Sequence, residues 1–206
     1  MRAQLSILLA VGLLAGLLGS TAQADTIVRS KSNIENVEVF NETYEVVEYY
    51  PPGIRIAQKQ AQKEVLKVEY DNWPESWEIG HENLANSAFE QAYQDFLDVS
   101  RANAEDFPQA RQYGMFWAAE TLRKAGEAGN TGAIQQALAD YDKLLQAKPD
   151  TVHFFKVAIG KGRCFLMLKK QAQALAEFEK VLGIPVDRDS IKENLARYGV
   201  KVRTKG

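Results

Sequence analysis

Between Thr26 and Tyr70, apolar and polar residues alternate in short runs. The runs are Thr26-Ile-Val-Arg-Ser-Lys, Val37-Glu-Val-Phe, Tyr44-Glu-Val-Val-Glu-Tyr, Ile54-Arg-Ile-Ala and Leu66-Lys-Val-Glu-Tyr, all rich in β-branched and aromatic residues. A period of two puts one face of a strand in a core and the other in water, so the pattern predicts five half-buried strands. Asn41-Glu42-Thr43 and Pro51-Pro52-Gly53 punctuate them. In the second, Pro52 presets φ and Gly53 can supply the positive φ of a type II turn. So few residues cannot form a large sandwich, and a small, strongly bent barrel is the economical way to remove the exposed edges.

Past Trp73-Pro74 the texture changes to Ala, Leu, Gln, Glu and Lys, which are good helix formers. Breaks at Phe107-Pro108, Gly126 to Gly132, Pro149-Asp150 and Gly183 to Pro185 leave intervals that suit helices of three to four turns. The expected organisation is a segment 1–24 to be removed, a small β unit over 25–72, helical repeats over 73–186, and a capping helix with a basic tail over 187–206.

One pattern stands out in the helical part. Gln136-Ala-Leu-Ala-Asp-Tyr-Asp-Lys-Leu-Leu and Gln173-Ala-Leu-Ala-Glu-Phe-Glu-Lys-Val-Leu are near copies 37 residues apart, and Gln91-Ala-Tyr-Gln-Asp-Phe-Leu-Asp-Val is a weaker third. Each places an alanine four residues before an aromatic: Ala92/Phe96, Ala137/Tyr141 and Ala174/Phe178. Residues four apart share a helix face, so a small residue beside a ring lets a neighbouring helix approach while the ring fills the gap. Twelve residues before Ala92 and Ala174 stand Gly80 and Gly162, which offer small positions on an upstream partner helix.

A small residue, then an Ala-x3-aromatic helix, then Pro149 or Pro185 resembles the tetratricopeptide repeat, a helix–turn–helix of about 34 residues. The resemblance covers roughly Pro74 to Pro185 as three repeats and is strongest in the last. It departs from the pattern in its spacings of 45 and 37, in the register of the middle first helix (Ala110 to Lys124), and in Lys161, which occupies a position usually apolar. Ser190-Ile-Lys-Glu193 fits a capping box opening a final helix, with Gly199 as its terminator. The strand-rich half is similar to the Sm-like or SH3-like small barrels that precede such repeats in some exported bacterial proteins.

The resemblance implies a protein or peptide partner, bound as a helix or extended segment in a concave groove lined by first helices. Carried over residue by residue, the candidate groove positions are Trp77, His81 and Leu84 in the first repeat and Lys156, Ile159, Arg163 and Leu166 in the last. Arg163 and Lys156 beside apolar residues are suited to a partner carboxylate. An alternative is that Trp77 and Leu84 seal the junction between the two halves. Two other functions stay open: an envelope assembly component, oligomeric through the β unit, and an accessory subunit of an enzyme.

Composition and the chain ends narrow these further. Arg2, the apolar stretch from Leu5 to Leu18 and Ala22-Gln23-Ala24 read as a cleavable signal peptide, so the protein is expected to be exported, periplasmic or secreted, with membrane contact only before cleavage. Its removal takes away only Arg2 among the charges, leaving 24 basic against 27 acidic residues. That mild, interspersed acidity gives no footprint for nucleic acid. Lys59, Lys63 and Lys67, spaced by four, read as a solvated face.

Cys164 is alone and flanked by apolar residues, so it reads as a buried, inert thiol. His81 and His153 fit no metal-ligand spacing. The glycine-rich stretch Gly126 to Gly132 lacks the Lys-Ser/Thr of a phosphate loop and reads as an inter-helix turn. Glu177 and Glu179 read as solvated charge. No catalytic residue, metal site or cofactor is expected, and the chain is read as a non-enzymatic scaffold of α+β class.

Overall fold

A computed structural model describes residues 24–183, so all but the last residue of the expected signal segment over 1–24, and the expected capping helix and tail over 187–206, lie outside the described residues. The class is α+β. The strands β1 (Asp25–Arg29), β2 (Ile34–Glu42), β3 (Val46–Tyr50), β4 (Gln58–Ala61) and β5 (Val65–Glu69) form one antiparallel sheet in the order β4-β3-β2-β1-β5. A single 3-10 turn, Gln62–Glu64, carries the chain from one edge strand to the other. Ile27, Val37, Val39, Val47 and Val65 bury one face, as the alternation predicts.

Pro51-Pro52-Gly53 makes the expected turn: Ile54 N–H donates to Pro51 O at 3.0 Å and Gly53 has φ +70. The expected strand Ile54-Arg-Ile-Ala does not form: Ile54 and Ile56 lie exposed beyond that turn, Arg55 reaches across to Glu38, and β4 begins only at Gln58. Lys59, Lys63 and Lys67 fall in β4, the 3-10 turn and β5, and both Lys59 and Lys67 are exposed and paired with surface carboxylates.

Helices α1 (Ser76–Ala85), α2 (Phe89–Arg101), α3 (Ala110–Glu127), α4 (Thr131–Ala147), α5 (Phe154–Met167) and α6 (Gln171–Gly183) follow. Each packs on the next, and α3 also touches α5. The loop between α3 and α4 is a turn built by the glycine-rich stretch: Asn130 N–H donates to Ala125 O, Gly129 has φ +109, and the Asn130 side chain caps α4 at Ala133 N–H.

The repeated pairs do what their spacing requires. Ala92, Phe96, Ala137, Tyr141 and Ala174 are buried. The missing side chain of Gly80 makes room for the ring of Phe96, and that of Gly162 for Phe178. Lys161, unexpected at an apolar position, is held by Asp142 of α4 (2.6 Å) and Glu177 of α6 (3.0 Å). Glu177 is therefore buried rather than solvated, because it also takes Lys180. Cys164 is buried, and burial pushes its thiol up to about 12.

Helix α3 is buried almost all round because α2, α4 and α5 flank it and the sheet meets its first turns. Its backbone comes close to that of α2 at Gly114. A Cβ on Gly114 would lie 2.5 Å from the Ser100 nitrogen and 2.6 Å from the Phe96 carbonyl oxygen, both backbone atoms that cannot yield. Gly132, by contrast, has only its own Asn130 cap at 3.5 Å. Gly114→Ala is expected to cost about 1–3 kcal/mol by overpacking. Gly132→Ala should be neutral or stabilise by up to about 1 kcal/mol through helix propensity. Urea midpoints of the two variants measured side by side check the contrast.

Candidate functional site

The sheet docks on the helices through its β2–β3 end. Tyr44 N–H donates to Asp150 O (3.1 Å), Thr43 bridges Thr151, and Gln112 Nε2 on α3 donates to the Glu42 carbonyl (3.2 Å). Gln112 Oε1 in turn accepts from the Thr151 hydroxyl (2.8 Å) and from Val152 N–H (3.3 Å). The ring of Tyr44 packs on Phe154 and Phe155 at the start of α5. Further along the same end of the sheet, the buried Asp25 carboxylate accepts from Val39 N–H (2.9 Å) and from Asp71 N–H (3.1 Å), tying β1 and β2 to the linker before α1.

The centre of the junction is the Glu42 carboxylate, only 1% exposed. It accepts from the hydroxyls of Tyr70 (2.6 Å) and Tyr113 (2.8 Å), and more weakly from Gln62 Nε2 (3.5 Å). A bulge explains its position. Strict alternation from Val37 and Val39 would turn Asn41 inward, but the β2–β3 register shifts between Val39 and Asn41 and Glu42 is buried instead. Burial raises the Glu42 carboxyl against the lowering effect of its tyrosine donors and of Lys156. Lys156 itself is lowered by burial, with Glu42 and Glu120 acting in the opposite direction.

Around this carboxylate runs a band of rings from the linker across α1 and α3 to α5. Trp73 stacks on Trp77 at 4.1 Å, and both meet Tyr113 edge-on. His81 stands edge-on to Trp77 (4.4 Å) and Trp117 (4.6 Å). Tyr113 meets His153 at 4.4 Å, and His153 stacks on Phe116 at 4.2 Å. Trp73, Trp77, His81, Tyr113 and Trp117 are all half-buried, so the band is partly open to solvent. Burial lowers His81, and the charge of Lys124 adds to the effect.

The candidate groove residues divide three ways. Trp77 and His81 belong to the aromatic band, and Lys156 lies with its ammonium 5.7 Å from the Phe116 ring centre, near Glu42 and Glu120. Leu84 is buried with Ala92, Phe96 and Ala118, and Ile159 with Ala158 and Val181, so both present little surface. Arg163 is half-buried and Leu166 is half-exposed on α5.

The residues that sequence reasoning passed over are Glu42, Tyr70, Tyr113 and Trp117. Tyr113 and Trp117 are four apart on α3, a signal available once that helix is registered; the bulge that buries Glu42 leaves none. Among the described residues, no group of three or more His, Cys, Asp or Glu is arranged to hold a metal. Comparisons with protein-family models, with curated proteins and with solved structures find no match to this chain.

Removing the central acceptor should show its weight. Glu42→Ala leaves two largely buried tyrosine hydroxyls without their acceptor and is expected to cost about 2–4 kcal/mol. Tyr70→Phe, which removes one donor and strands no buried group, should cost about 1–2 kcal/mol. Chemical denaturation of the two variants checks the order.

Proposed function

We propose that the chain is an exported, non-enzymatic scaffold of tetratricopeptide type, preceded by a small SH3-like or Sm-like barrel, that binds a peptide or helix of a partner protein. The observation that carries this reading is the threefold recurrence of an alanine–aromatic pair on the second helix of each pair. Two of these pairs face a glycine on the preceding helix. The stepwise packing of α1 through α6, with α3 reaching α5, fits a stack of helical hairpins. The single 3-10 turn between the two edge strands supports the barrel reading, because it keeps those edges close in the chain.

In this reading the partner lies along the first helices α1, α3 and α5. Trp77, His81 and Trp117 supply half-exposed aromatic surface, which contributes strongly to binding at low entropic cost. Lys156 is largely engaged inside the junction, so Arg163 is the cation we assign to the partner. Trp77 serves both the junction and the groove.

A second reading, assembly through the β unit, is favoured by the exposed Ile56 and Leu66 near edge strands β4 and β5. Solution mass that rises with concentration would support assembly, and a strict monomer would remove it.

Arg163→Glu is expected to weaken partner capture about tenfold, roughly 1.4 kcal/mol, while leaving the unfolding midpoint unchanged. The measurement is recovery of crosslinked partners from native envelopes by the two forms. Equal recovery of the same partners rejects the groove assignment.

A further inference from the structure

Both ring nitrogens of His153 are buried without a hydrogen-bond partner. Buried polar groups are nearly always paired, so this side chain asks for a reason. Its place in the fold supplies one. His153 is the N-cap of α5, next to the segment through which the sheet grips the helices: Asp150 accepts from Tyr44, and Thr151 bridges Thr43.

The charge that acts on it is that of Lys156 on its own helix. From α3, Tyr113 and Phe116 pack against its ring, and Glu42 and Glu120 act on Lys156. Glu42 offsets Lys156, and Glu120 is bound by Arg123. A neutral imidazole fits this balance. An imidazolium would be a second buried cation beside Lys156.

We propose that His153 is an acid-sensitive latch: its protonation releases the Asp150–Phe154 segment from the Thr43–Tyr44 edge and frees the sheet from the helices without unfolding either. The sign follows from burial, which together with the charge of Lys156 holds the closed-state imidazole well below its ordinary 6.5. The open form binds the proton normally, so the closed form is fully favoured above about 6.5 and loses ground as pH falls below it. Glu42 acts the other way. Its raised carboxyl gains its proton in the closed form first, so it favours closure from that raised value down to the ordinary carboxylate range and offsets part of the loss. One proton can lower the closed-to-open ratio up to about thirtyfold between pH 7.5 and pH 5, and each tenfold preference for closure moves the midpoint about one unit below 6.5. The latch stands on the junction alone and does not depend on what the groove binds.

All three tryptophans, Trp73, Trp77 and Trp117, lie in the aromatic band at this junction, so their emission reports it. Acidification of the chain from pH 7.5 to 4.5 should give a red shift with a midpoint below 6.5 while the far-UV circular dichroism stays constant. His81 touches Trp77 and Trp117, so the transition must persist in His81→Asn and vanish in His153→Phe. In the unaltered chain the His153 imidazole, followed by proton NMR, should titrate in step with the red shift, which tests the idea even where the phenylalanine variant does not fold. A flat emission profile, loss of helical signal in step with the red shift, a transition retained in His153→Phe, or a His153 imidazole that does not titrate with the red shift would each overturn the latch.

Discussion

A carboxylate removed from water between two structural units is the constraint on which the rest of the molecule turns. Burying an ionised Glu42 is costly unless donors converge on it, and they come from both sides of the junction. Tyr70 arrives from the end of the sheet and Tyr113 from α3, while Lys156 of α5 supplies opposite charge. An apolar contact of the same size would tolerate sliding of the sheet over the helices. Two directed hydrogen bonds to one carboxylate, with Gln112 holding the carbonyl of the same residue, do not. Tyr70 and Tyr113 also stand in contact with Trp73, so the polar centre and the aromatic band position each other.

Helix α3 makes this arrangement feasible. Its backbone at Gly114 sits almost on that of α2, and its successive turns then offer Gln112 and Tyr113 to the sheet, Phe116 to His153, and Trp117 to α1. One helix thus reads out the positions of three neighbours. The sequence between Ala110 and Lys124 departs most from the recurring pattern, and this helix meets the sheet as well as its neighbouring helices.

Much of the architecture was legible because it rests on local rules. Alternation found four of the five strands and missed β4, the Pro-Pro-Gly turn was readable from its residues, and the four breaks fell after α2, α3, α4 and α6 but marked neither the α1–α2 nor the α5–α6 turn. The Ala-x3-aromatic pairs identified the buried faces. What escaped has a common physical cause, namely dependence on residues distant in sequence. The β2 bulge reverses the parity that alternation assumes, so Glu42 read as an ordinary turn residue. Glu177 and Lys161 each look misplaced alone and are intelligible only as partners on adjacent helices. Leu84 and Ile159 occupy positions that a repeat register assigns to a groove, yet the neighbouring helices cover them.

The distribution of buried polarity bears on what a partner could use. The sheet core is aliphatic apart from its rim, whereas Glu42, Gln112, Thr151 and His153 gather at the junction. Groups that contribute little net stability are concentrated where orientation matters, which is where a polar core is best explained by specificity. The first-helix face is thus already partly committed within the molecule, since Lys156 and one side of Trp77 serve the docking of the sheet. A ligand along that face would meet chiefly His81 and Trp117, with Arg163 further on, and its fit would depend on the sheet being docked. On the proposed reading the two units would form one recognition surface, and the junction geometry would be a determinant of its affinity.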